Sequence, residues 1–255
     1  MKKILLFLFL ALTVLSCKKS ENVGHSKMAK SIDSLMTYSY DQGLFNGTVL
    51  VSKNNEVIYR NSFGYADFDK NELLVPESSF YLASVSKQFT TMALMILKER
   101  GALSYDDKLS DYFPDFPNYA ATVTLRHMMT HTSGIPDHYQ LDAYKVGLTN
   151  DDVYELLVSQ EDLDFEPGSQ YSYSNGAYVL LSMIVEEVSG ESFHDFMKTN
   201  IFTPLKMTNT LVYDKSELTV NKRAIGYNGS GGLDDYEIFT TGAGGLYSNI
   251  DDLFK

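Results

Sequence analysis

Cysteine is almost missing from this sequence: Cys17 stands alone among 255 residues. A lone thiol cannot close an internal disulfide, and it cannot build the Cys/His cluster of a structural zinc site. A Walker glycine loop is absent too, as is a dinucleotide-binding glycine fingerprint behind a strand. Positive charge is scarce: 21 Lys and Arg stand against 33 Asp and Glu, a formal net charge of −12. So acidic a chain is repelled by phosphate backbones, which removes nucleic acid from the expected partners. Internal repeats are lacking, and the one long apolar run, Ile4 to Leu15, is too short to span a bilayer comfortably. His127 and His131 have i, i+4 spacing without the HExxH pattern, so they are expected to be structural. No metal or organic cofactor is indicated.

What is present begins with that apolar run. It follows Lys2 and Lys3 and leads into Ser16-Cys17, the make-up of an export signal. Val14-Leu15-Ser16-Cys17 resembles the bacterial lipobox, in which cleavage leaves the cysteine first and lipid-modified. The alternative is an ordinary secretory signal with a cysteine near its end. Residues 17–27, including "KKSENVGHSK", are polar and aperiodic and read as a tether. The expected organisation is a signal peptide over 1–16, a tether over 17–27 and a folded domain over 28–255, held at the bacterial cell envelope by a lipid on Cys17. Loss of residues 1–16 removes two lysines and takes the formal charge from −12 to −14.

With 44% hydrophobic residues, the domain has enough apolar side chains for a substantial core. Ile32, Leu35, Met36 and Tyr40 recur at helical spacing before Gly43. "GTVLVSKNNEVIYRNSFGYAD" reads as two strands around an Asn54-Asn55 turn, ended by Gly64. From Ser84 to Arg100, Phe89, Met92, Ala93, Ile96 and Leu97 share a helical face, with Gly101 as the stop. Short helical patterns between turns such as "FPDFPNYA", "SGIPDH" and "FEPGSQYS" follow, the longest from Asn175 to Gly190. These patterns imply an α/β part over 28–100, a mainly helical lobe over 101–240, and a return to the α/β part over 241–255. The last residues, "GAGGLYSNIDDLFK", read as a loop entering a helix of one or two turns.

Ser84 and Lys87, three apart, share a helical face, so the amine can reach the hydroxyl. A serine is a weak nucleophile until a base takes its proton, and Ser-Lys pairs are one way of supplying that base. A lysine working near neutral pH needs a pKa about 3 units below its usual value, which burial or a nearby cation supplies. The spacing alone is weak evidence, since Ser16 and Lys19 repeat it within the signal and tether. Ser86, two residues from Ser84, points elsewhere. A companion Tyr-x-Asn occurs three times: Tyr59-Arg60-Asn61 in a strand, Tyr247-Ser248-Asn249 near the end, and Tyr173-Ser174-Asn175 between a Pro167-Gly168 turn and an apolar helix. A loop held by a rigid helix is the better place for a site.

The segments "FYLASVSKQFTTMALMILKERGALSYDDKLSDYFPDFP", "TLRHMMTHTSGIPDH", "FEPGSQYSYSNGAYVLLSMIVEEVSGESFHDFM", "IFTPLKMTNT" and "GAGGLYSNIDDL", with the hairpin from Phe45, occur in an order that resembles the serine β-lactamase and penicillin-binding-protein-like family, in its class C and esterase branch. The resemblance implies an α/β plus α, two-lobed fold: an antiparallel sheet flanked by helices, with an inserted mostly helical lobe and the active site between. It implies Ser84 as the acylated nucleophile, Lys87 as its proton partner, Tyr173 as the phenol that relays the proton, and Asn175 as a substrate-orienting amide. It also assigns Tyr247 to a different family segment. The substrate would be a small-molecule or peptide ester or amide: a β-lactam, a D-Ala-D-Ala peptide or a simple ester. The family's third motif, Lys or His followed by Thr/Ser-Gly on a strand, is not found; "HTSG" at 131–134 falls in another segment. The expectation is therefore a chain lacking its C-terminal strands, with a non-catalytic binding module as the alternative to a hydrolase.

Overall fold

The computed structural model describes residues 23–142, 144–235 and 237–255; Cys17 and the expected signal lie outside them. The first helix, α1 (Val23–Asp41), starts within the segment read as a tether. The polar residues before Met28 thus continue a helix whose half-buried stripe, Ala29, Ile32, Met36 and Ser39, repeats at helical spacing. Leu35 lies off that stripe and is 61% exposed. The helix lies on the hairpin of β1 (Gly47–Lys53) and β2 (Glu56–Phe63), where Tyr59 donates its hydroxyl hydrogen to Asp33 Oδ1 at 2.9 Å. Asn54 and Asn55 turn the hairpin at φ +51° and +65°, a left-handed pair that asparagine tolerates and that matches strand twist.

The remaining strands are short: β3 (Tyr65–Asp67) with β4 (Glu72–Leu73), and β5 (Phe80–Tyr81), β6 (Leu211–Val212) and β7 (Leu246–Ser248), with β7 in the middle of its sheet. Every pairing between these strands is antiparallel, as expected, but the strands form three small sheets among the described residues. The expected loop over "GAGGLYS" is in part strand β7. All three of its residues are buried, so it shows no period-2 alternation.

A 3₁₀ turn, Ala83–Ser86, leads into α2 (Lys87–Glu99). Its buried residues are Lys87, Phe89, Thr90, Ala93, Leu94 and Leu97; Met92, placed by sequence on this face, is 41% exposed, and Leu94 is inside instead. The difference follows from its neighbour, because α2 packs along α6 (Asn175–Ser189), which turns the Lys87, Thr90, Leu94 and Leu97 line inward. Helix α6 is the axis of the core. Its residues from Gly176 to Ser182 are all buried, and it also touches α4 (Leu125–Met129), α5 (Asn150–Val158) and α7 (Phe193–Met197). A helix apolar on nearly every side is stable only when surrounded. The single-turn α3 (Leu109–Tyr112) and α8 (Ile250–Leu253) complete the fold, and one π-helical turn, Lys198–Phe202, extends α7. Burial of side chains such as Leu94, Leu180 and Phe193 contributes about 1.5–3 kcal/mol each. The same core takes in Ala243 and Leu246, so the segment before β7 is fastened to the helices that carry the serine and the tyrosine loop.

Candidate active site

Ser84 sits in the 3₁₀ turn, one residue after Ala83, which has a left-handed φ of +45°. Such a conformation costs a non-glycine residue on the order of 1 kcal/mol or more and persists where its surroundings fix it. Here Leu82 N donates to Leu246 O at 2.8 Å, so β7 holds the turn on one side while α2 continues it on the other. Ser84 is left on the exposed side of the turn, whereas Ser86 is buried and its Oγ has no hydrogen-bond partner.

Lys87 opens α2 and is 7% exposed. Its Nζ lies 3.3 Å from Ser84 Oγ, 2.8 Å from Asn175 Oδ1 and 2.8 Å from Ala243 O. It also stands 4.8 Å from the centre of the Tyr173 ring and 5.4 Å from that of Tyr178. Three acceptors and two ring faces favour the ammonium, but burial disfavours it and wins, so the Lys87 pKa falls below the ordinary lysine value. Tyr173 and Asp137 hold the proton on, while His131 and His138 nearby stay neutral more readily because they are buried.

Tyr173 approaches from the loop before α6 and donates its hydroxyl hydrogen to Ser84 Oγ at 2.7 Å. That loop is tied to the "HTSG" turn: Gly168 N donates to Thr132 O at 2.8 Å and Ser172 N to His131 O at 2.9 Å. The His131 ring lies 4.4 Å from the Tyr173 ring and 5.1 Å from that of Tyr178, and its Nδ1 accepts from Ser174 N at 3.2 Å. A ring nitrogen that accepts carries no proton, in keeping with the lowered pKa that burial and Lys87 give His131. His131, expected to be structural, is the platform under Tyr173. His127 instead accepts from Thr124 N at the start of α4, and among the described residues no three or more acidic, histidine or cysteine side chains gather so as to hold a metal ion.

Asn175 begins α6 directly after its cap, Ser174, whose hydroxyl accepts from Ala177 N. The third wall is the segment carrying Ala243 O. Gly242, at φ +82°, has no room for a side chain, since a Cβ would stand 2.1 Å from Tyr178 O. Thr90 Oγ1 donates to Gly242 O at 2.8 Å, while Asn150 brackets Thr241 by accepting from its N and donating to its Oγ1, both at 2.8 Å.

The four residues singled out in the sequence, Ser84, Lys87, Tyr173 and Asn175, therefore meet around one point. The two other Tyr-x-Asn pairs do not. Tyr59 and Asn61 share a hydrogen bond beside α1, and Asn249 caps α8. Tyr247, 3% exposed, stacks under Arg223 at 5.2 Å; burial lifts its phenol to about 12, although the guanidinium of Arg223 works against that rise. Sequence reasoning missed Asp137, His131 as a support for Tyr173, and the carbonyl of Ala243. The first two lie in "HTSGIPDH", whose glycine and proline marked only a turn, and a backbone acceptor has no side-chain signal. Beside the site, a cleft of about 360 Å³ is lined by Tyr81, Tyr144, Tyr213, Tyr247 and Asp234, among others.

Compared with known protein families, residues 28–255 match the one described as Beta-lactamase. Penicillin-binding protein 4* of Bacillus subtilis (strain 168) is 39% identical over 207 residues, 78% of this chain and 45% of that protein. A solved structure, the octameric penicillin-binding protein homologue from Pyrococcus abyssi, superposes with a TM-score of 0.78 at 28% identity, covering 88% of this chain and 54% of that one. Another, EstCE1, a hydrolase with promiscuous acyltransferase activity, has a TM-score of 0.76 at 25% identity, covering 91% and 71%. The chain spans 45% to 60% of the first curated relatives it matches.

Proposed function

The chain belongs to the Beta-lactamase family, and from that premise we propose that it is an exported serine hydrolase, held at the cell envelope by a lipid on Cys17, that works through an acyl-enzyme on Ser84. The observation that carries this reading is the placement of Ser84 Oγ between two proton-handling groups, Lys87 Nζ at 3.3 Å and Tyr173 OH at 2.7 Å. Lys87, with its lowered pKa, accepts the Ser84 proton as Oγ attacks the substrate carbonyl carbon. The carbonyl π bond opens to an oxyanion, which re-forms the carbonyl as the bond to the leaving group breaks. Tyr173 passes a proton to that leaving group. Water then attacks the ester on Ser84, gives its proton back through the same groups and frees the serine. Asn175 orients the substrate beside the nucleophile.

The substrate is an ester or amide of a small molecule or peptide. Esters and D-Ala-D-Ala-type peptides are favoured over β-lactams: the same acylation serves all three, so the chemistry does not demand a dedicated β-lactamase, and the family's members divide by pocket shape and deacylation. No step requires a metal or an organic cofactor.

The test is Ser84→Ala in a p-nitrophenyl ester assay. Release of p-nitrophenol is lost, while the unfolding midpoint stays near that of the parent because Ser84 is exposed and outside the core. Turnover that persists in Ser84→Ala contradicts the assignment.

A further inference from the structure

Asp137 takes no part in the proposed acyl transfer, yet it is 7% exposed and hydrogen-bonded to Asn175. Its Oδ2 accepts from Asn175 Nδ2 at 2.9 Å and from Asn175 N at 3.2 Å, and its Oδ1 accepts from Tyr139 N at 3.1 Å. On the far side of that amide, Asn175 Oδ1 accepts from Lys87 Nζ at 2.8 Å. An asparagine amide can turn about its last torsion and exchange oxygen for nitrogen with little change of shape. Facing an ammonium, one orientation offers an acceptor and the other an opposed donor. A carboxylate accepts only, so Asp137 bound to the NH₂ end selects the orientation that gives Lys87 its acceptor.

We infer that Asp137 is a positioning residue for the Ser84 chemistry: it locks the Asn175 amide with its oxygen on Lys87, leaving one N–H of that amide for the substrate. This rests on the acyl-enzyme reading of Ser84. Asp137 is itself held in place. The "HTSGIPDH" turn passes through Gly134 at φ +75°, where a Cβ would stand 2.1 Å from Phe165 O, and Gln140 N donates to Asp137 O at 2.9 Å. Next to the carboxylate lies the His138 ring, 1% exposed, with Nδ1 at 3.6 Å from Asp137 Oδ1 and neither nitrogen hydrogen-bonded. Burial and Lys87 keep that ring neutral more readily than usual, although Asp137 opposes them. The ring therefore fills the space beside the carboxylate, and the charge of Asp137 acts with little screening. Among the described residues, the carboxylate of Asp137 and the phenol of Tyr173 favour the ammonium of Lys87, while His131 and His138, which Lys87 and burial keep neutral more readily, add no charge against it.

The test compares the full chain with Asp137→Ala and Asp137→Asn, each checked by thermal unfolding. The rate of labelling by a fluorophosphonate is followed against pH, and the titration of Lys87 is followed by ¹³C NMR at Cε, assigned with Lys87→Arg. Asp137→Ala, which frees the amide, is expected to slow labelling about 10²-fold, the scale of a displaced catalytic geometry. Asp137→Asn keeps an oxygen for Asn175 Nδ2 but loses the charge that holds the Lys87 proton. It should label faster than Asp137→Ala, with the Lys87 midpoint moved to lower pH. Equal labelling by the parent and a folded Asp137→Ala overturns the inference, as does an Lys87 midpoint unmoved in Asp137→Asn. Should Asp137→Ala fail to fold, Asp137→Asn decides through its midpoint. If the parent itself is not labelled, the acyl-enzyme reading falls, and the NMR midpoint alone tells whether Asp137 acts on Lys87.

Discussion

At the scale of single residues, Lys87 is set between opposed effects: burial drives its proton off, while Asn175 Oδ1, Ala243 O and the Tyr173 ring keep it on. Burial prevails, so the rate of Ser84 acylation should rise with pH as Lys87 deprotonates and reach half its maximum below 10.5, the ordinary lysine value. A half-maximum at or above that value, measured by labelling against pH, would remove Lys87 as the base. Tyr173→Phe takes away the hydroxyl that donates to Ser84 and should cost about 10²-fold or more in turnover, as for a general acid or base. If Tyr247→Phe did this and Tyr173→Phe did not, the wrong tyrosine would have been chosen. Ser84, Lys87, Tyr173 and Asn175 could be picked out because Ser-x-x-Lys and Tyr-x-Asn are short local patterns and because the order of the segments around them resembles a family; spacing alone was weak for the first pair and left three candidates for the second. Asp137 could not. Its partner Asn175 is 38 residues away, and no short pattern announces a carboxylate whose work is to hold an amide.

Among elements, legibility tracked length and period. The hairpin was announced by Asn54-Asn55, α2 and α6 by apolar spacing, and the end of α6 by Gly190 at φ +70°. Strands β5 and β7, of two and three residues, are too short to show a period, so the sheet that braces the serine turn was invisible. The start of α2 was displaced for a related reason: the Ser84 turn is 3₁₀, which spacing alone does not distinguish from the first α-helical turn. Two glycines separate fold from site. A Cβ on Gly190 meets nothing within 4 Å, so Gly190→Ala should cost about 1–2 kcal/mol in chemical unfolding, the left-handed conformation alone, and leave labelling intact. At Gly242 the added Cβ collides with Tyr178 O, and the same substitution should cost more stability and also slow labelling, because it displaces the segment that presents Ala243 O to Lys87. Equal effects of the two substitutions on labelling would separate that segment from the chemistry.

At the scale of the whole molecule, an apolar core among the described residues reaches from α2 and α6 to Ala243 and Leu246, so the walls of the site are fastened to the same packed core. The described residues contain no helix long and apolar enough to cross a membrane. In the proposed function, attachment to a membrane is through the lipid on Cys17: Cys17→Ser should move the protein from the membrane pellet to the soluble fraction of its host, and retention in the pellet would argue for another means of attachment. The central claim, an activated serine, is tested most directly by intact-mass spectrometry before and after a fluorophosphonate, with the adduct mapped by peptide. The account predicts one adduct per chain, located on Ser84 and lost in Lys87→Arg, whose guanidinium keeps its proton. A folded chain that takes up no adduct, or takes it up at another residue, would contradict it.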